Sequence, residues 1–246
     1  TLPSIPESPK AQFSISSAPN PPKPVSFEIT VKDVYQNPVV KYLHSSSRTM
    51  GDLLHARVGG SFYYKPSTLS GDVEKILMVG GGVGVAPLIG MLEHLVNESN
   101  TCPERKRNVT LIYSVRDEKE LLFEERLNEI CSIYGGEGKN GLSVQVQCYV
   151  TRYAKPQNEI EQPEPHQVHP NDSIQTKDVA EKSVKKFYGF YITSRLLSDY
   201  LSQADADMND TVVYMCGPES LERAVYGYLK KLEFPLDRLY FEQWWK

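Results

Sequence analysis

Cysteine is scarce in this 246-residue chain: Cys102, Cys131, Cys148 and Cys216 are the full set, and no two form a CxxC pair. That spacing excludes a thiolate zinc site and gives no disulfide framework, so reduced thiols in an intracellular compartment are expected. Excess positive charge is lacking too. The 27 Lys and Arg are outnumbered by 31 Asp and Glu, which leaves no basic footprint and excludes nucleic acid as a partner. No apolar run approaches the roughly 18 residues of a membrane-spanning helix. No targeting segment is visible in the sequence, which opens at Thr1 in a proline-rich stretch. His166 and His169 are close together, but they have no cysteine or acidic partner at ligand spacing and read as a solvated loop.

What is present is an ordinary globular composition, 40% hydrophobic and 24% charged, at a length that suits two modest domains. Residues 1–70 hold short alternating stretches, AQFSISSAP, VSFEITVKDV and HARVGGSFYY, which read as β-strands. Three short strands cannot close a sheet on themselves. The later part of an antiparallel domain whose beginning is missing is therefore expected there. Residues 71–246 switch to alternating strands and helices. EKILMVG, NVTLIYSV, LSVQVQCYV, TVVYMCG and DRLYFE read as strands. PLIGMLEHLVN, EKELLFEERLNEIC and ESLERAVYGYLKKL read as helices. This alternation predicts an α/β domain, a five-stranded parallel doubly wound sheet of order 3-2-1-4-5. Residues 153–186 are polar and proline-laced and read as a surface insertion.

The chemistry concentrates at residues 76–88, ILMVGGGVGVAPL. A phosphate approaches a strand-to-helix turn closely only where side chains are absent, and the helix start there offers free N–H groups and a positive dipole end. Gly81, Gly82 and Gly84 supply the bare turn, although a tight turn needing positive φ would also use them. Pro87 falls in the first helical turn, where its missing N–H costs nothing. The second strand ends in Arg116 rather than an acidic ribose ligand, which sets the loop apart from an ordinary NAD Rossmann turn. The fourth strand ends in MCGPES. In the predicted strand order the first and fourth strands are neighbours, so the two glycine loops face one crevice at the switch point. Cys216 reads either as a thiol beside a bound cofactor or as a small buried apolar residue.

GGGVGVAP, YSVRDEKELLF, YMCGPES and the terminal FEQWW stand in the motif order of the ferredoxin–NADP reductase superfamily. The chain resembles that family over nearly all of residues 71–246 and, within it, the group of oxidoreductase NAD-binding domain-containing proteins. The resemblance implies a partial antiparallel β-barrel of the flavin-binding type at 1–70, its N-terminal strands missing, and an NAD(P)-binding domain at 71–246. It implies FAD and NAD(P)H as cofactors, with hydride passing from nicotinamide to flavin and electrons onward to an unknown acceptor, protein or small molecule. Gly81, Gly82, Gly84, Val85 and Pro87 would cradle the pyrophosphate, and Cys216, Gly217 and Pro218 would lie at the nicotinamide. Thr151 and Arg152 match positions that hold a 2′-phosphate and so favour NADPH, because a guanidinium pairs bidentately with phosphate. Ser14 and Glu242 join Cys216 as catalytic candidates, while Phe13, Trp244 and Trp245 are expected to stack on the flavin. Anchoring of a C-terminal strand is the other use for the two tryptophans. Where the family carries Arg-x-Tyr-Ser, this chain has Ala11, Gln12, Phe13 and Ser14. A flavin phosphate would then need Arg48 or the N–H groups of SSSRTMGD, where a helix could begin. Two alternatives stay open. One is a dinucleotide-binding or partner-docking module without flavin. The other is a methyltransferase on a similar sheet, which leaves CGPES and FEQWW without a role. The family resemblance places the protein in the mitochondrion, with the cytoplasm as the alternative.

Overall fold

Strands that are apolar at almost every position must be covered on both faces, and the run KILMV meets that condition at the centre of the molecule. The computed structural model describes residues 11–19, 26–33, 37–46, 48–51, 53–65, 73–152, 183–201 and 208–242. In chain order the elements are α1 (Pro38–His44), β1 (Val73–Gly81), α2 (Val85–Thr101), β2 (Lys106–Val115), α3 (Glu124–Tyr134), β3 (Leu142–Val150), β4 (Lys185–Tyr188), α4 (Ser194–Leu201), β5 (Thr211–Cys216), α5 (Glu219–Lys231) and β6 (Leu239–Phe241). The strands form one parallel sheet of order β4-β3-β2-β1-β5-β6. Successive residues of β1 serve opposite faces. Ile76 and Met78 pack with α2 and α3, whereas Leu77 and Val79 pack with α4 and α5. That is the period-2 geometry of a strand in a doubly wound sheet.

The expected order survives inside this sheet as β3-β2-β1-β5-β6, with a sixth strand added at the β3 edge. Four residues, KKFY, at the end of the expected insertion are too few to show an alternation. Tertiary contacts hold them instead. Phe187 stacks on Tyr149 at 5.0 Å between ring centroids, and Lys186 Nζ lies 2.9 Å from Glu118 and 2.7 Å from Glu124. The insertion therefore ends before β4 and not at 186. His166 and His169 lie outside the described residues.

Two helices also depart from expectation. The helix read through EKELLFEERLNEIC is a 3-10 turn at Glu118–Glu120 followed by α3. Phe123 between them is left-handed at φ 61° and breaks the run. In the N-terminal region a helix forms at α1, capped by the Asn37 side chain on the N–H groups of Val39 and Val40. The expected helix start at SSSRTMGD is not seen, because residues 48–51 pass as loop and turn among the described residues.

Of the three expected N-terminal strands, the first two meet antiparallel, through a single bridge of Ile15 with Ile29 and a Ser16 N–H bond to Glu28 O of 2.8 Å. HARVGGSFYY is not a strand among the described residues. This region is ordered by what it touches. The carbonyls of Ile15 and Ser17 lie against Gly90 of α2, where an added Cβ would stand 3.3 and 3.0 Å away. Ala18 N–H donates to Glu93 (3.1 Å), and Arg126 joins Glu93 to Glu28. Farther on, Tyr64 O–H donates to Glu74 (2.8 Å). Glu74 in turn faces Arg107, which is 1% exposed and also pairs with Glu98 at 2.9 Å. This buried charge cluster sits at the N-terminal end of the sheet, opposite the glycine loops.

Candidate nicotinamide crevice

β1 and β5 are neighbours, and their register pairs Gly80 with Cys216. The loops that leave these two strands therefore start at the same height and share one space. GGVGVAP makes a 3-10 turn at Gly82–Gly84 and enters α2 at Val85, with Gly84 as N-cap. Pro87 is the third residue of α2 and is buried, in the first turn as expected. Gly82 has φ +52° and open space where a Cβ would sit, so the loop presents bare backbone outward.

The other glycines are fixed by the facing loop. A Cβ at Gly84 would collide with the Cys216 carbonyl and stand 2.6 Å from Gly217 Cα. At Gly81 it would meet Leu221 Cδ2 at 2.5 Å and Pro218 Cδ at 2.8 Å, and at Gly217 it would meet Gly81 N at 3.1 Å. These glycines are the condition for two backbones to touch. Cys216 is buried at the end of β5, and Pro218 caps α5.

Ser14 and Glu242, 228 residues apart in sequence, meet here. Ser14 Oγ–H donates to Glu242 Oε2 at 3.0 Å. Glu242 follows β6 directly, and Gly60 of HARVGGSF lies beside its other oxygen. Burial raises the Glu242 carboxyl above the usual carboxylate range, and the Ser14 bond partly offsets that.

The sequence reading overlooked Glu222. It lies in the first turn of α5, is 3% exposed, and folds back so that Oε1 accepts the Gly217 N–H at 3.0 Å. Burial pushes its carboxyl up to about 7; the Gly217 bond opposes the shift and Glu242 reinforces it. In sequence it is one more glutamate in ESLERA, and nothing local marks it as buried.

At the other side of the crevice, Thr151 N–H donates to Val115 O (2.9 Å) and Arg152 N–H to Arg116 O (2.8 Å). These bonds set the two exposed arginines side by side at the ends of β2 and β3. Phe13 is half-buried next to Ser14 in the chain. Trp244 and Trp245 lie outside the described residues. No helix among the described residues is long and apolar enough to cross a membrane.

Comparison with known proteins fits this geometry. Residues 73–230 match the family described as the ferric reductase NAD binding domain. A zebrafish (Danio rerio) oxidoreductase NAD-binding domain-containing protein 1 is 27% identical over 95% of this chain and 74% of its own length. Over half of the chain, 31% identity relates it to 28% of a flavohemoprotein of Candida albicans. The solved flavohem-like FAD/NAD binding domain of a nitric oxide dioxygenase from Vibrio cholerae superposes with TM-score 0.60. That match is 17% identical and covers 94% of this chain and 76% of the other. The relative of the same name from Xenopus tropicalis is spanned over only 57% of its length. With the family match running from the first residue of β1 to the last turn of α5, the chain belongs to the ferric reductase NAD-binding domain family.

Proposed function

We propose that this chain is the dinucleotide-binding part, with a piece of the flavin-binding part, of an NAD(P)H-dependent flavoprotein oxidoreductase, divided near residue 70. One observation carries the reading: the two glycine loops touch so closely that a side chain at Gly84 would collide with the Cys216 and Gly217 backbone and one at Gly81 with Pro218 and Leu221, while one at Gly217 would crowd the Gly81 backbone. This leaves bare backbone and the α2 N-terminus for a pyrophosphate. The residues present fit NAD(P)H. Gly82, Gly84 and Val85 would hold the phosphates, and Cys216 and Gly217 would lie at the nicotinamide end.

FAD, when bound, would supply the acceptor for the nicotinamide hydride. The described residues meet it only in part, through Phe13, Ser14 and Glu242. The Ser14–Glu242 hydrogen bond holds a proton between the N-terminal region and the sheet, at the place where the two cofactors would meet. Positioning and electrostatics are the protein's share of such chemistry. Arg116 and Arg152 together suit a 2′-phosphate, which favours NADPH; in Arg152→Ala the preference for NADPH over NADH should fall about tenfold.

Protein carrying the upstream barrel strands should purify yellow, and NAD(P)H should bleach it in the absence of oxygen. A colourless protein that NAD(P)H leaves unchanged overturns the oxidoreductase reading. Ala11, which offers no cation where the resembled family has Arg, favours a second reading, a dinucleotide-binding module without flavin. Calorimetric NADH binding with no flavin and no turnover would establish that alternative.

A further inference from the structure

Among the described residues, Glu222 is the one buried carboxyl at the crevice that the proposed function does not use. Among the described residues its Oε2 is buried without a hydrogen-bond partner, while Oε1 holds the Gly217 N–H. A buried carboxyl with one oxygen unsatisfied costs free energy, and is kept where its other oxygen has a task. That task is visible in the geometry. Gly217 stands within van der Waals contact of Gly81, and Leu221, the residue before Glu222, covers both glycines. The Gly217 N–H could otherwise turn outward to solvent, carrying the Cys216 carbonyl with it and opening the contact to Gly84.

We propose that Glu222 is a positioning residue of the nicotinamide end, whose carboxyl sets the orientation of the turn of Cys216, Gly217 and Pro218 against the phosphate loop. The proposal rests on the NAD(P)H reading above and concerns only the half of the site that a nicotinamide occupies. The phosphate half is held by the α2 N-terminus and does not depend on it.

Among the described residues the charged surroundings are few. From the end of β6 Glu242 faces Glu222, and Ser14 of the N-terminal region lies on Glu242. The end of β5 brings the Cys216 thiol. On α5 itself Glu219 and Arg223 pair with each other. The loop after β1 brings glycine and valine only. Ionising Glu222 therefore places a second negative charge near Glu242, and it strengthens the Gly217 bond by making it charge-assisted. The nicotinamide end should for this reason change its affinity around neutral pH, while the phosphate end does not.

The test is calorimetric titration of the whole chain with NADH and, separately, with ADP-ribose, which carries the phosphates but no nicotinamide. In Glu222→Ala, NADH affinity should fall about tenfold and ADP-ribose affinity should stay within about twofold. Glu222→Gln keeps an oxygen for the Gly217 N–H and is close in shape. It should restore most of the NADH affinity but abolish the pH dependence seen between pH 6 and 8. Equal loss of both ligands in Glu222→Ala, or no rescue by a folded Glu222→Gln, overturns the positioning role and leaves dinucleotide binding intact. Failure of the wild-type chain to bind either ligand overturns the NAD(P)H reading and the proposal with it.

Discussion

In the parallel sheet Ile76, Leu77, Met78 and Val79 are shut off from solvent on both faces, whereas Met50, Leu53, Leu54 and Val58 of the N-terminal region stand exposed. Both regions are rich in apolar residues. The difference lies in partners: β1, β2, β4 and β5 are each followed by a helix that covers the sheet, while the described residues of 11–65 have one antiparallel bridge and lean on α2, α3 and β5. Residues in the first region find their contacts in strand ladders and in the helices that cover them. Those in the second reach far along the chain, as when Lys65 N–H donates to the Tyr214 hydroxyl at 2.9 Å and the same hydroxyl donates back to Lys65 O at 3.1 Å. The N-terminal region is thus held by its docking, and the crevice depends on that docking through Ser14 and Glu242.

The contrast can be broken from the sheet side first. Gly84→Val drives a side chain into the Cys216 backbone. It should cost about 5 kcal/mol, a large share of a domain's stability, and abolish NADH binding; urea unfolding and calorimetry measure both. Arg107→Ala empties a buried site and leaves Glu74 and Glu98 as half-buried like charges, and should cost about 3 kcal/mol by urea unfolding. The loss should extend to the docking of Tyr64, read as faster amide exchange in residues 62–65, while Arg107→Met should be milder.

Glu222 gives a pH-dependent test. Its folded pKa of about 7 exceeds the ordinary 4.5, so the folded chain keeps a proton that the unfolded chain releases. Stability from this group is complete below pH 4.5 and is lost as pH rises through 7, to a total of about 3 kcal/mol. Glu222→Gln should therefore melt several degrees above wild type at pH 8 and nearly with it at pH 5. The smallest effect belongs to the docked region: Ser14→Ala removes one hydrogen bond and should cost about 1 kcal/mol. Its Glu242 partner would then be without that bond, and exchange should quicken in residues 11–19 while the sheet is unchanged.

Much of this was legible because the relevant signals are local. The alternation of apolar runs with helical periods marked β1, β2, β3, β5 and β6. Glycines directly after a buried strand marked the bare loop after β1, and Pro87 marked the helix start. β4 was not legible, since four residues carry no period and the strand is pinned by Tyr149, Glu118 and Glu124 from elsewhere in the chain. The break before α3 was hidden because Phe123 is an unusual residue to find left-handed. Ser14 and Glu242 entered through resemblance to a family, and only the folded chain shows them joined by a hydrogen bond.

The sequence by itself determined the parallel sheet, its switch point and the two bare loops, because backbone conformation and apolar period are properties of neighbouring residues. The tertiary structure alone decided that Gly84 must be glycine, since the atom it would strike belongs to Cys216, 132 positions away. It also decided that Glu222 is buried with its carboxyl turned back on Gly217. Burial and charge coupling are set by what the chain brings together in space, and a local stretch of sequence does not contain them.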